Sequence, residues 1–185
     1  MVFSNGEMLL QNLIVGAPQV LLILYVILTR GGADAHAFGL VRLRVSDLLK
    51  AIGVFVGICF LSIPIALAGR LVSTDGFVAG ISIQLRPVSL ILLVLVCITT
   101  GYREELFFRS YLLSELAPLG KIRAIAASTA LFAIGHIYQG GLALLGTALI
   151  GVFLSLVFLR YRNAHVIAIG HGLYNLAVVL IGATA

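Results

Sequence analysis

Long apolar runs separated by short polar stretches dominate the hydropathy pattern of this chain. They predict spans at 9–29, 50–69, 87–113, 122–138, 141–159 and 164–183, each near the roughly 20 residues that a helix needs to cross a bilayer. None of these runs alternates as barrel strands do, and an open sheet cannot satisfy its backbone in lipid, so all are expected to be helical. The expected fold class is all-α, a polytopic transmembrane helix bundle of about six helices forming a single integral-membrane domain over 1–185. Within it, 9–86 would supply the N-terminal spans and loops, and 87–183 the core that carries chemistry. Pro18 and Pro64 fall inside spans and are expected to kink them, while "STDGFVAG", 73–80, reads as a loop. "VRLRVSDLLK", 41–50, reads as a short interfacial helix, with Ser46 or Asp47 capping the second span.

Composition sharpens the membrane reading. The chain is 61% hydrophobic and only 10% charged, against about 25% charged for a soluble domain; its mean hydropathy is +1.16. A net charge of +5 raises the question of nucleic acid, yet the basic residues stand singly or in pairs at the ends of apolar runs and form no stripe. No nucleic-acid partner is therefore expected, and the lipid bilayer is the partner that the composition implies. Counting Lys and Arg on alternate sides places Arg30, Arg42, Arg44, Lys50, Arg103, Arg109, Lys121, Arg123, Arg160 and Arg162 together, against Arg70 and Arg86. The first side is then cytoplasmic and the amino terminus outside. Cys59 and Cys97 sit inside apolar runs and are expected to pack as small hydrophobes. The first apolar run follows Glu7 with no Lys or Arg before it and is long enough to span, so it does not read as a cleavable signal.

Against this background "GYREELFFRSYLL", 101–113, is anomalous, since it inserts Arg103, Glu104, Glu105 and Arg109 into a continuing apolar helix. An ionisable residue at the centre of a span costs about 2.5–3.5 kcal/mol on insertion scales and marks a functional candidate. Glu105 and Arg109 are four apart with the acid first, the favoured order for a one-helix ion pair. Glu104 lies about 100° around the helix from Glu105, so the two carboxylates are expected to take different roles, Glu104 being the one left free. Arg103 is expected to snorkel to the interface.

Two further polar positions fall on later spans. His136 follows Phe132 by four, near the end of the fourth span, while His171 and Asn175, also four apart, share one face of the last. A lone histidine is more often a hydrogen-bonded packing residue than a catalyst, which suffices for His36 and His165; two aligned polar residues in an apolar helix point instead to the bundle interior. Three chemistries fit Glu104, His136, His171 and Asn175. Glu104 with His136 can deprotonate a water, with His171 and Asn175 stabilising the resulting oxyanion. Alternatively Glu104, His136 and His171 supply three ligands of an open zinc site. Or the set lines a proton or ion path. Spacing does not choose among them.

Taken together, "EELFFR", "FAIGH" and "HGLYN" resemble, in order, the EExxxR, FxxxH and HxxxN/B motifs of the CPBP family, the CAAX-protease and bacteriocin-processing (ABI) membrane proteins related to the type II CAAX-prenyl endopeptidase. The resemblance covers roughly Leu90 to Leu180. It implies a membrane-embedded glutamic endopeptidase acting on a CAAX-type or bacteriocin-like protein or peptide. Glu104 and His136 would then activate water, His171 and Asn175 would form the oxyanion hole, and Glu105 and Arg109 would be structural. No cofactor is expected, with zinc on Glu104, His136 and His171 the competing mechanism. Ser110 stands where the family usually has glycine, a small-for-small change. The expected location is a bacterial plasma membrane, multi-pass, with the active site toward the cytoplasmic face. A non-catalytic membrane scaffold or bacteriocin self-immunity protein is the alternative function, and a small transporter a third.

Overall fold

The computed structural model describes residues 2–30, 35–71, 84–85 and 89–182. The expected loop at 73–80 and Arg86 lie outside the described residues. Six helices account for most of the described chain: α1 (5–30), α2 (Val45–Leu71), α3 (90–115), α4 (Lys121–Ile134), α5 (Gly141–Tyr161) and α6 (Ala164–Gly182). Among the described residues β pairing is limited to a two-residue parallel bridge of Val2–Phe3 with Gln84–Leu85. The architecture is an all-α bundle. Leu21, Leu22, Phe60, Ile91 and Leu131 are exposed, as side chains that face lipid hydrocarbon are.

α1 opens with a capping box in which Ser4 Oγ accepts from the Glu7 N–H, and the Glu7 carboxylate accepts from the Ser4 N–H. Its second and third turns are π-helical, Gln11–Gly16. Pro18 lies just beyond; its ring has no N–H to give and crowds the preceding turn, which favours such a widened stretch. α2 departs from the expected interfacial helix. Val41–Arg44 is irregular, and one helix runs from Val45 with Pro64 inside it. Asp47 sits at the third helical position, where its Oδ2 accepts from the Arg44 N–H at 3.0 Å and its Oδ1 from Lys50 Nζ at 2.8 Å. The cap thus reaches back from inside the helix.

Among the described residues four helices are long and apolar enough to cross a membrane: Asn5–Thr29, Val45–Gly69, Gly141–Tyr161 and Ala164–Ile181. The span expected at 122–138 is shorter than predicted. α4 has 14 residues, roughly 21 Å of helix against a hydrocarbon core of about 30 Å. It stops because Gly135 and His136 turn the chain, and Gly140, at φ 97°, restarts it as α5. Apolar residues continue past the end of the α-helix at Ile134 into a single 3-10 turn, Ile137–Gln139, which is why the hydropathy pattern overshoots.

α6 lies at the centre. It is buried along Val166, Ile167, Ala168, Gly170, His171 and Gly172, and its small residues let two neighbours approach backbone to backbone. A Cβ on Gly172 would stand 2.8 Å from Ile98 Cδ1 and 2.9 Å from Ile98 Cα; one on Gly101 would meet the Ala168 carbonyl and stand 2.8 Å from Gly172 N. α3 and α6 therefore cross at Gly101 and Gly172 with no side chain between them, the small-residue packing that membrane helices use. This crossing brings Glu104 and Glu105 beside His171. Gly101→Ala is expected to force the two helices apart and cost about 1–3 kcal/mol, as overpacking does. An unchanged melting temperature in detergent would contradict the direct contact.

The connections at one end of the bundle bind to each other. Ala164 N–H donates to the Gly39 carbonyl at 2.9 Å, Arg162 Nη1 to the Ala37 carbonyl at 3.4 Å, and Ser110 Oγ to the Phe38 carbonyl. His165 Nε2 donates to the Val41 carbonyl at 2.9 Å, which leaves Nδ1 to accept from the Tyr102 hydroxyl at 2.8 Å. His165 is thus a structural tie between the 35–44 segment, α3 and α6. Ser110 makes a bond here that a glycine could not make.

Candidate active site

Immediately after its acidic pair, α3 widens into a second π-helical stretch, Leu106–Leu112, the kind of local irregularity that recurs at functional sites. The stretch carries Arg109, which is fully buried together with Glu105. Arg109 Nη1 donates to Glu105 Oε1 at 2.9 Å and Nη2 to the Gly151 carbonyl at 3.4 Å. The guanidinium also lies over the Phe132 ring, 4.2 Å from its centroid, a cation–π contact strengthened by the absence of water. A Cβ on Gly151 would stand 3.3 Å from Arg109 Nη2 and 3.0 Å from Thr129 Cγ2, so glycine is what lets α5 close over the charge.

Glu105 does more than hold Arg109. Its Oε1 also accepts from His171 Nδ1 at 2.8 Å. Because a carboxylate can only accept, this bond puts a hydrogen on Nδ1 and turns Nε2 toward Glu104, whose Oε2 is 3.8 Å away. The two neighbouring carboxylates, assigned separate roles by their helical angle, in fact flank one imidazole from two directions. That connection joins residues 66 positions apart and carries no local sequence signal.

Glu104 is not a free carboxylate. Its Oε1 lies 3.2 Å from Arg103 Nη2, so Arg103 turns inward along the helix instead of snorkelling to the interface. Glu104 retains 14% side-chain exposure and lines a cavity of about 650 Å³. His136, His171 and Asn175 line that same cavity. His136 Nδ1 donates to the Phe132 carbonyl at 2.8 Å, and Phe132 stacks edge-on against both His136 and His171, at 4.8 and 6.1 Å between centroids. His136 lies in the turn after α4 rather than within a span.

The structure thus gathers Glu104, His136, His171 and Asn175 around one cavity, and sets Glu105 and Arg109 behind it. Arg103, expected from the sequence at the interface, also lines the cavity, together with residues that sequence reasoning passed over: Thr100, Ser62 from α2, and Tyr174 from α6. Ser62 Oγ and Tyr174 Oη form a hydrogen bond 2.8 Å long. Tyr174 stands three residues after His171, on the same helical face, a spacing that could have flagged it. A smaller apolar groove of about 300 Å³, lined by Leu22, Ile23, Phe107 and Phe108, adjoins the cavity through Arg103 and Glu104, which border both.

Fit to a metal is poor. Among the described residues no three His, Cys, Asp or Glu side chains converge as a metal-binding group. Each of His136 and His171 has its Nδ1 bonded to a protein oxygen, as metal-binding imidazoles do, but Glu104 is engaged by Arg103.

Residues 86–177, which contain every one of these polar groups except those of α2, match the family described as Type II CAAX prenyl endopeptidase Rce1-like. Through this segment the chain belongs to that family. No curated protein and no solved structure matches the chain. The family and the four apolar helices together make it an integral membrane protein of the CAAX-type intramembrane protease class.

Proposed function

We propose that the chain is a glutamate-type intramembrane endopeptidase that hydrolyses a peptide bond in a membrane-associated protein or peptide, without metal. The observation that carries the reading is the placement of Glu104, His136, His171 and Asn175 around one cavity, inside the segment that matches the family. Glu104, with His136, takes a proton from water as its oxygen adds to the scissile carbonyl. The oxyanion accepts hydrogen bonds from His171 Nε2 and the Asn175 amide. To donate from Nε2 while Nδ1–H is held by Glu105, His171 acts as an imidazolium. The proton taken from water passes to the leaving nitrogen, the C–N bond breaks, and a carboxylate and an amine are released.

Glu105 and Arg109 act from behind. Arg109 supplies the charge that keeps Glu105 tolerable where neither is exposed, and Glu105 fixes the orientation of His171. The basic loops that meet at one end of the bundle, around Arg42, Arg44 and Arg162, support a cytoplasmic address for that end. The location proposed is a bacterial plasma membrane.

The test is cleavage by the purified, reconstituted protein with and without EDTA and phenanthroline. The expected outcome is unchanged activity in both, since among the described residues no three His, Cys, Asp or Glu side chains converge as zinc ligands. Loss of cleavage that added zinc restores would replace this mechanism by metal-assisted hydrolysis.

A further inference from the structure

Arg103 is the one charged residue of the anomalous stretch that this mechanism leaves without a task. Its position is specific. Among the described residues that line the cavity it is the sole lysine or arginine, and it also borders the apolar groove. The other guanidinium nearby, on Arg109, is fully buried and bonded to Glu105 and to the Gly151 carbonyl, so it cannot meet a substrate. Arg103 can: its side chain is 26% exposed, and its bond to Glu104 is a single contact at 3.2 Å through one nitrogen. A guanidinium offers five N–H groups in a planar fork suited to two carboxylate oxygens at once.

The contact with Glu104 also has a consequence for catalysis. A carboxylate oxygen held by a guanidinium is less available to accept a proton from water. We propose that Arg103 is a carboxylate-recognition residue, and that a substrate carrying a carboxylate close to its scissile bond draws Arg103 away from Glu104. Binding of the correct peptide then releases the base that cleaves it. The proposal rests on Glu104 being that base. It names a substrate class, a peptide with a carboxylate beside the bond to be cut and apolar residues for the adjoining groove, and leaves two sources for the anion: a free C-terminus or an Asp or Glu side chain.

The experiment uses the full chain in liposomes and a fluorescent library of apolar octapeptides, made in three matched forms: free acid, C-terminal amide, and amide with one internal glutamate. Binding by fluorescence anisotropy and cleavage by mass spectrometry are both read. Wild type is expected to favour an anionic form over the plain amide by about tenfold to a hundredfold, the range of a charge-assisted hydrogen bond. The form favoured identifies the source of the anion. In Arg103→Gln this ratio should fall to near one, and in Arg103→Lys, which keeps the charge but not the fork, it should be intermediate. A wild type that treats all three forms alike overturns the proposal, as does a ratio preserved in Arg103→Gln. Glu104→Ala distinguishes the underlying reading: cleavage undiminished there removes Glu104 as the base, while the binding ratios still judge Arg103 by themselves.

Discussion

Replacing Arg109 by leucine is expected to destabilise the protein by about 3–5 kcal/mol, the penalty for leaving one member of a buried ion pair without its partner. Glu105 has no exposed surface, and with Arg109 gone its charge would be left with the imidazole of His171 alone. The expected readout is a large drop in thermal or denaturant stability in detergent, together with a poor yield of folded protein. Arg109→Leu combined with Glu105→Leu should be less destabilised than the sum of the two single changes, because the pair is then replaced by apolar groups. Near-normal stability of the single variant would mean that the pair is solvated after all. The double variant should nevertheless remain inactive, since His171 loses the acceptor that orients it.

Glu104→Gln is expected to act in the opposite way, lowering kcat by about 10²–10⁴-fold, the usual contribution of a general base, with no rise in KM and little change in stability. Glutamine is close to glutamate in shape and the side chain is already partly exposed to the cavity, so folding does not depend on it. Its amide cannot take a proton from water. A variant that loses binding and catalysis in equal measure would instead make Glu104 a substrate-holding group. A phenotype untouched by Glu104→Gln in cells, with the protein inserted, is what a non-catalytic scaffold or immunity protein would show.

Short-range features of the site were legible in the sequence. The pairing of Glu105 with Arg109 follows from their four-residue spacing, and the shared face of His171 and Asn175 from theirs. Helical class followed from run length and the absence of alternation. What could not be read was set by contacts across the bundle. Glu105 meets His171 because Gly101 and Gly172 let α3 and α6 touch, and nothing in the hydropathy of either helix announces that crossing. Arg103 turns to Glu104 because a cavity lies beside it, whereas an isolated helix would send the same side chain to the interface. The fourth helix ends before His136 because Gly135 breaks it, although the apolar residues continue. Widening of α3 over Leu106–Leu112 likewise has no signal in the hydropathy pattern.

The central claim is that Glu104 drives peptide-bond hydrolysis inside the membrane. Its most direct test is mass-spectrometric detection of cleavage products from a peptide library incubated with the purified protein in liposomes, comparing wild type with Glu104→Gln at matched folded concentration. Cleavage by the wild type that falls at least about 10²-fold in the variant is the result predicted here. Equal product from both would contradict it.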